Sequence, residues 1–497
     1  MNIYTLIQEV INYGLNKNLI NKHDEIYSRN LILDCFNLDS WEDRAVSFES
    51  RDIENILIDI CQWAVENNLI NNSPAEMELL DTKIMNCISP RPSEVIRKFY
   101  SDFQESPELA TKNYYNFSEN TNYIRKKRIQ RNLHWFSPTQ YGDFEITINL
   151  AKPEKDPKDI EREKNMPKSS YPSCLLCIEN VGYRGRLNHP ARQTHRVIPM
   201  RLKEENWYFQ FSPYVYYNEH SIVFCEEHRP MKMNIDTFDR LLEFVENFPH
   251  YCIGSNADLP IVGGSILSHD HYQAGKHIFP MEKANIEKNF KMKNFNNLEA
   301  GIVNWPMSVI RLTSQNKDTL SEAAEYILEK WRIYNDPSSN ILAFTGNTPH
   351  NTVTPIARRV GDSFQIDLAL RNNRCSDEHP MGIFHPHSEV HNIKKENIGL
   401  IEVMGLAILP GRLESEMKSI ETLLKEENWD TKLKNDPNLS KHYDWIKNII
   451  KNNSNSIDFS ILKQEIGKTF SIVLEHAGVF KRDDSGKKAF DKFINTL

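Results

Sequence analysis

The sequence predicts an α+β fold with a helical region at the start and another at the end. In the first hundred residues, apolar side chains recur at three- and four-residue steps, as in Leu6, Ile7, Val10 and Ile11, which is the spacing of one helix face. From residue 144 to 150, apolar and polar residues alternate instead, which predicts a half-buried strand. Later strand patterns are separated by amphipathic helices, so both element types share the rest of the chain.

The remaining elements follow in chain order. A second apolar stripe over 53–64 predicts another helix, and Ser73-Pro74-Ala75-Glu76 predicts a helix start, with a capping serine and a proline in the first turn. The charged, proline-containing stretch 152–168 predicts an exposed loop. Further strands are predicted at 221–225 and 364–370, helices at 235–248 and 320–334, and a charged helical tail from Glu414 onward.

Length and charge restrict the function classes. A chain of 497 residues is long enough for several domains with a large core. Its 60 basic and 68 acidic residues give a net charge of −8, which disfavours a nucleic-acid or anionic-membrane partner. The sequence has no run of 18 apolar residues, and its N-terminus is amphipathic, unlike a signal peptide. We therefore expect a cytoplasmic protein, whose eight scattered cysteines build no disulfide framework.

The segment from Gly263 to Gln273, with the sequence GGSILSHDHYQ, carries the strongest functional signal. Paired glycines let the backbone approach a ligand closely. If the following residues are extended, His269, His271 and Gln273 point to one face, because side chains alternate along a strand. Two surface histidines at a strand end are the simpler interpretation of a His-x-His triplet, but the glycines and the glutamine favour a pocket.

Such a pocket suits group transfer at phosphorus. A neutral imidazole, with an ordinary pKa of about 6.5, is available as a nucleophile at pH 7 without a strong base. An amide such as that of Gln273 can donate to a phosphoryl oxygen as charge builds up there.

The Cys174-Leu-Leu-Cys177 pair supplies two soft ligands at the spacing of a zinc knuckle. Structural zinc needs two more ligands of nitrogen or sulfur type. The candidates among nearby histidines are His189, His195, His220, His228 and His269. The alternative is that both cysteines are buried apolar residues.

A local basic run extends from Tyr123 to Arg131 in an otherwise acidic chain. It is suited to phosphate binding, through Arg125 and Arg128 among others. A solvated helix face is the alternative for any single residue in the run.

These features together resemble the second, Firmicutes-type class of galactose-1-phosphate uridylyltransferases, members of the histidine-triad superfamily. Two further segments carry the resemblance, from Ser212 to His220 and from Ile398 to Arg412, and it covers nearly the whole chain. It implies two histidine-triad-like α/β halves with mainly antiparallel sheet. The domains expected are a helical N-terminal extension at 1–110, a catalytic half at 111–300, and a C-terminal half with the helical tail at 301–497.

The resemblance also implies roles for individual residues. His271 is the implied nucleophile, and Gln273 contacts the transferred phosphoryl group. The implied zinc ligands are Cys174, Cys177, His228 and His269, and no organic cofactor is implied. Substrate-binding residues are implied at Asn256, Arg125, Arg128, Gly264 and Ser265.

Two departures from the first class of the family limit this transfer. Asp270 stands in the middle of the triplet, where the first class has proline, so an extra charge lies beside the implied ligand and nucleophile. A second, iron-type metal site is not predicted, although His385 and His387 resemble its paired histidines.

The implied reaction is a double displacement, in which UDP-glucose gives its uridylyl group to His271 and galactose 1-phosphate then takes it to form UDP-galactose. The family also suggests a homodimer. One alternative is another histidine-triad nucleotidyltransferase, or a nucleotide phosphorylase or hydrolase. A zinc-containing nucleic-acid-binding protein is an alternative from a different class, and the net charge counts against it.

Overall fold

The computed structural model describes residues 2–47, 51–150, 169–453 and 457–497. These residues form two compact units. The first takes the described residues within 2–131, 169–215 and 219–228, and the second those within 132–150, 216–218 and 229–497. The predicted loop at 152–168 lies outside the described residues, and the predicted domain boundaries stay predictions.

Helices form the start and the end of the described chain, and strands with interspersed helices lie between them. The helices are α1 Ile3–Asn16, α2 Glu25–Cys35, α3 Ile53–Glu66, α4 Pro74–Asn86, α5 Pro92–Glu105, α6 Pro107–Asn120, α7 Lys126–Gln130, α8 Ile235–Asn247, α9 Pro280–Lys283, α10 Lys317–Arg332, α11 Leu400–Val403, α12 Arg412–Leu423, α13 Trp429–Asn435, α14 Tyr443–Asn452, α15 Phe459–Ala477 and α16 Asp484–Ile494. The strands are β1 Leu133–Thr139, β2 Gly142–Asn149, β3 Ile198–Leu202, β4 Glu205–Phe211, β5 Ser221–Cys225, β6 Cys252–Gly254, β7 His271–Gly275, β8 Ile286–Phe290, β9 Glu299–Val303, β10 Val309–Ser314, β11 Phe344–Thr345, β12 Thr348–Pro349, β13 Asn351–Val360, β14 Ser363–Asn372 and β15 Leu406–Pro410.

The first unit is mostly helical. The apolar faces of α1 to α4 bury one cluster, in which Leu6, Ile7 and Ile56 are fully inaccessible to solvent. The predicted helices in this region are therefore confirmed. Helix α4 begins at Pro74, as the sequence predicts, but the Ser73 side chain does not cap it. Strands β3, β4 and β5 of this unit pair in antiparallel order.

The second unit contains the larger share of the sheet. Seven of its strands lie in the order β7, β6, β13, β14, β10, β9, β8, with antiparallel pairing throughout. Another sheet has the order β1, β2, β15, in which β15 runs parallel to β2. The α+β class with mainly antiparallel sheet is confirmed. Among the described residues, no helix combines the length and the apolar character needed to span a bilayer.

Strand β2 is more buried than its alternating pattern predicts. The sequence predicts one solvated face, yet all six residues from Phe144 to Asn149 are buried. Both edges of β2 are paired, with β1 and β15, and on its apolar face Phe144 packs against Trp305 and Phe470. Glu145 is stabilised on its polar face because its two carboxylate oxygens accept hydrogen bonds from His134 and His277, each at 2.7 Å.

A buried ion network joins three central strands of the second unit. Asp367 on β14 is fully buried, and its carboxylate accepts two hydrogen bonds from Arg311 on β10, at 2.6 and 2.9 Å, and one from Arg358 on β13, at 2.7 Å. Burial alone would raise the pKa of Asp367, but the two guanidinium groups outweigh it and hold the pKa below its usual value. The carboxylate is therefore ionised and fully paired.

Because that pairing compensates buried charge, removing the carboxylate is expected to be costly. Asp367→Ala leaves two buried guanidinium groups without their counter-ion, and we expect it to lower the free energy of unfolding of this unit by about 3–5 kcal/mol. Chemical denaturation measures the loss. Asp491→Ala is the matched control, because it breaks the exposed pair with Lys288 and should cost less than about 1 kcal/mol. Equal losses in the two variants would contradict this account of the network.

Candidate active site and metal site

His271 is the first residue of β7, and its tautomer is fixed by the preceding backbone. Its Nδ1 lies 2.8 Å from the carbonyl oxygen of His269, so Nδ1 carries the proton and donates it to that oxygen. The lone pair of the neutral ring is then on Nε2. The ring is only 6% exposed, and this burial lowers the pKa of His271 to about 4. The imidazole is therefore uncharged at neutral pH, as a nucleophile requires.

Gln273 lies two residues further along β7 and is half-buried. Its backbone is opposite Gly254 of β6 in the antiparallel pair. Residues two apart in a strand point to the same face, so the amide of Gln273 and the imidazole of His271 share one side of β7. His269 precedes the strand and is fully buried. The extended stretch is thus shorter than the one the sequence suggests.

The glycine pair before β7 is required by a close approach within the protein. A side chain at Gly264 would place its Cβ 2.7 Å from the amide nitrogen of Asn256, and one at Gly263 would meet the Ala257 carbonyl oxygen at 2.5 Å. The side-chain oxygen of Asn256 accepts a hydrogen bond from the backbone N–H of Leu400, at 2.9 Å. One end of this amide is therefore used structurally. The predicted substrate contacts of Asn256, Gly264 and Ser265 stay predictions.

Both predicted phosphate-binding arginines already have carboxylate partners on α4. Arg125 makes two hydrogen bonds to Asp81, at 2.5 and 2.8 Å, and Asp81 is 7% exposed. Arg128 lies 3.1 Å from a carboxylate oxygen of Glu78. Helix α4 thus fixes the direction of both guanidinium groups. Neither arginine is a simple solvated residue, and binding of phosphate by them stays a prediction.

A third arginine, Arg192, lines one cavity together with Arg125 and Arg128. The sequence alone does not indicate it. This cavity of about 120 Å³ lies in the first unit, and its polar lining includes Arg125, Arg128, Arg192, Thr82, Thr194 and Tyr214. The Arg192 guanidinium lies 5.7 Å from the ring centre of Tyr123. No carboxylate within the described ranges forms an ion pair with it. Arg192 stands alone in a mixed loop sequence, so only the tertiary structure identifies it.

The charge in this cavity is positive enough to perturb a neighbouring acid. Burial alone would raise the pKa of Glu78, but the three arginines outweigh burial and lower it. The residues that line the cavity carry three guanidinium groups and one carboxylate, that of Glu78, whereas Asp81 and Glu54 act on Arg125 from outside the lining. The lining is therefore positively charged and chemically suited to an anion.

The cysteine knuckle brings three metal-ligand atoms together in the first unit. The two sulfur atoms of Cys174 and Cys177 are 3.4 Å apart, and the Cys177 sulfur lies 3.0 Å from Nδ1 of His228. The side chain of Asn180 donates to the carbonyl oxygens of both cysteines, at 2.8 Å each, and holds the turn. Two thiols and an imidazole at this spacing form a group that can bind a metal ion.

A second metal-capable group lies in the second unit. One ligand atom each of His387, Glu389 and His476 lies within 4.8 Å of the others. His385, the first member of that His-x-His triplet, is not part of this group, because its Nε2 lies 3.2 Å from the side-chain oxygen of Asn397. The pairing of His387 with His476 on α15 joins residues 89 positions apart, which no local pattern in the sequence indicates.

Comparison with known proteins adds the family context. Residues 18–230 match the family model of the galactose-1-phosphate uridyl transferase N-terminal domain, and residues 243–446 match the model of its C-terminal domain. A galactose-1-phosphate uridylyltransferase of Fusobacterium nucleatum is 55% identical, over 100% of this chain and 99% of its own. Similar proteins of the same name occur in Clostridium acetobutylicum, at 53% identity over 99% of both chains, and in Bacillus subtilis, at 48% over 100% of this chain and 98% of its own.

Among solved structures, a yeast Ap4A phosphorylase has a TM-score of 0.32 and 11% identity, and covers 65% of this chain and 90% of its own. A likeness of this degree is too distant to inform the chemistry of the site.

Proposed function

The chain belongs to the galactose-1-phosphate uridyl transferase family, and we propose that it exchanges a uridylyl group between UDP-glucose and galactose 1-phosphate through His271. The observation that carries the mechanism is the buried, neutral imidazole whose Nδ1–H donates to the His269 carbonyl oxygen. That hydrogen bond leaves the Nε2 lone pair free to attack phosphorus.

In the first half-reaction, Nε2 of His271 attacks the α-phosphorus of UDP-glucose. The bond from that phosphorus to the bridging oxygen breaks, and glucose 1-phosphate leaves with the electron pair. The ring becomes positively charged as the phosphorus–nitrogen bond forms, and the hydrogen bond from Nδ1 to the His269 carbonyl stabilises this charge. In the second half, a phosphate oxygen of galactose 1-phosphate attacks the same phosphorus and releases neutral His271.

Gln273 is proposed to assist both halves by donating its amide N–H to a non-bridging oxygen of the transferred group. Its place on the same side of β7 as His271 supports this role. A donor fixed in position before the reaction stabilises charge that develops on that oxygen without reorganisation.

Arg192 is proposed to bind the diphosphate, together with Arg125 and Arg128, because their cavity has an excess positive charge and several hydroxyl groups. Asp81 and Glu78 act as positioning residues, since they hold two of the three guanidinium groups. Asn256, Gly264 and Ser265 complete the proposed substrate-binding set. A homodimer, suggested by the family resemblance, is also a proposal.

Zinc is the metal proposed for the knuckle, held by Cys174, Cys177 and His228, with His269 as the fourth ligand. Two thiolates and two imidazoles match the ligand preference of zinc in a closed structural site. Such an ion supplies folding energy and fixes its ligands. Because His269 also accepts the hydrogen bond from His271, a ligand role at His269 would fix the carbonyl that sets the nucleophile's tautomer.

Metal analysis tests the zinc proposal. We expect about one zinc per chain in the purified protein, and Cys174→Ser should lower both the zinc content and the melting temperature, because a structural site contributes to folding. Cys375→Ser, at an exposed cysteine outside the knuckle, is the matched control and should keep its zinc. Full zinc content and unchanged stability in Cys174→Ser would exclude the proposed ligand set.

Steady-state kinetics test the role of Arg192. A charge-assisted contact is worth about 1.5–3 kcal/mol, so Arg192→Gln should raise the KM for UDP-glucose by about 10- to 100-fold. Arg184→Gln, at an exposed arginine eight residues earlier, should leave KM unchanged. Arg125→Ala is a poorer test, since it also leaves Asp81 buried without its partner. Equal KM values in the two glutamine variants would remove Arg192 from the binding site.

Covalent labelling tests the nucleophile. With UDP-glucose labelled in its uridylyl group, the protein should retain label in an acid-labile, alkali-stable bond, and initial-rate plots should be parallel. His271→Ala should abolish labelling and turnover, whereas Gln273→Ala should slow turnover by about 10²- to 10³-fold. His134→Gln, at a half-exposed histidine, should still be labelled. Label that persists in His271→Ala would refute the assignment, and free UMP as the main product would indicate a hydrolase.

A further inference from the structure

Two cysteines of the helical region lie in contact outside the metal-binding knuckle. Cys35 is the last residue of α2 and Cys87 directly follows α4, and their sulfur atoms are 3.8 Å apart. Both are free thiols and both are partly exposed. Of the other cysteines, Cys61, Cys225 and Cys252 are buried and Cys375 is exposed, and none of the contacts described for them is with another sulfur atom.

The two thiols share one contact, in which either sulfur can be the donor. The contact with Cys87 lowers the pKa of Cys35, whereas the same contact, together with burial, raises the pKa of Cys87. One thiol of the pair can therefore lose its proton while the other donates its S–H to it. A thiolate is the nucleophile in disulfide exchange, and a neighbouring thiol is needed to resolve the mixed disulfide.

Cys87, one member of the pair, is also accessible to a small oxidant. Cys87 lines an open cavity of about 1240 Å³, bounded by the α1–α2 connection, the start of α5 and one side of α6. A volume of this size admits a peptide-sized molecule. No backbone segment has to open before a reagent reaches the sulfur of Cys87.

We propose that Cys35 and Cys87 are a thiol-modification site that closes to a reversible disulfide when the surrounding low-molecular-weight thiols become oxidised. One thiol of the pair, as the thiolate, attacks one sulfur of a small disulfide, whose S–S bond breaks and whose other half leaves as a thiol after taking a proton from water. The second protein thiol then loses its proton to water and attacks the sulfur of the first, which releases the second small thiol. Two protein thiols are oxidised and one small disulfide is reduced to two thiols.

The positions of the two residues favour closure. A disulfide needs its sulfur atoms about 2 Å apart, so the present separation must shrink by about 2 Å, and both residues lie at helix ends, where side chains and backbone adjust most easily. The new bond joins α2 to α4 across 52 residues and restricts the unfolded chain. It also anchors the helix whose Asp81 and Glu78 hold Arg125 and Arg128.

Peptide mapping of the full-length protein tests this proposal without relying on the transferase activity. The protein is equilibrated with glutathione disulfide, free thiols are blocked with iodoacetamide, and the digest is analysed without reduction. We expect a crosslinked peptide pair containing Cys35 and Cys87, lighter than the two thiol peptides by two hydrogens and lost on treatment with dithiothreitol. The oxidised protein should also melt about 5 °C higher than the reduced protein.

Single replacements complete the experiment. Cys35→Ser and Cys87→Ser should each abolish the crosslink and the gain in melting temperature, while Cys375→Ser should keep both. The proposal is overturned if Cys35 and Cys87 are both recovered as blocked thiols under conditions that modify Cys375. It is also overturned if glutathione stays bound to either residue with no crosslink. Mapping of the unaltered protein decides the question even where a serine variant fails to fold.

Discussion

The buried carboxylate of Asp367 is the contact on which the arrangement around β7 depends. Arg311, which holds this carboxylate, also donates to the carbonyl oxygens of Met281 and Ala284, at 2.8 and 3.1 Å, in the segment that follows β7. Arg358 lies on β13, which pairs with β6, and β6 in turn pairs with β7. Asp367 thus ties β14 to β10 and β13, and β13 is connected to β7 through β6. Incorrect packing of these strands would leave a buried ion without its counter-ion.

The chemistry at His271 follows from burial more than from neighbouring charge. Burial removes the stabilisation that water gives to an imidazolium ion, so the neutral ring is favoured well below pH 7. The backbone carbonyl of His269 then selects which nitrogen keeps the proton. A strong base is not needed for this, because the ring is already neutral. The arginine cavity works differently: its positive charge is arranged by two carboxylates of α4.

Many of the helices and strands, and part of the candidate site, could be predicted from local sequence. The alternation around Phe144 and the helical stripes of α1 and α3 predict their elements, because side-chain periodicity is a local property. The spacing of Cys174 and Cys177, with His228 after a strand, likewise predicts a metal-capable group. What the sequence does not predict depends on residues brought together by the fold. One edge of β2 is covered by β15, more than 250 residues later, and the carboxylate partner of Arg125 comes from a different helix. Arg192 and His476 have no local pattern at all.

The salt bridges from Asp81 to Arg125 and from Glu78 to Arg128 have an evolutionary consequence for the helical region. An accessory module that merely attaches to an enzyme can be lost, exchanged or moved to another gene while the recipient keeps its charge balance. Helix α4 is not of that kind, because its loss would remove the carboxylates that fix the directions of Arg125 and Arg128. Truncation and arginine replacement would have to occur together, so the helices and the arginine segment are expected to be inherited as one piece.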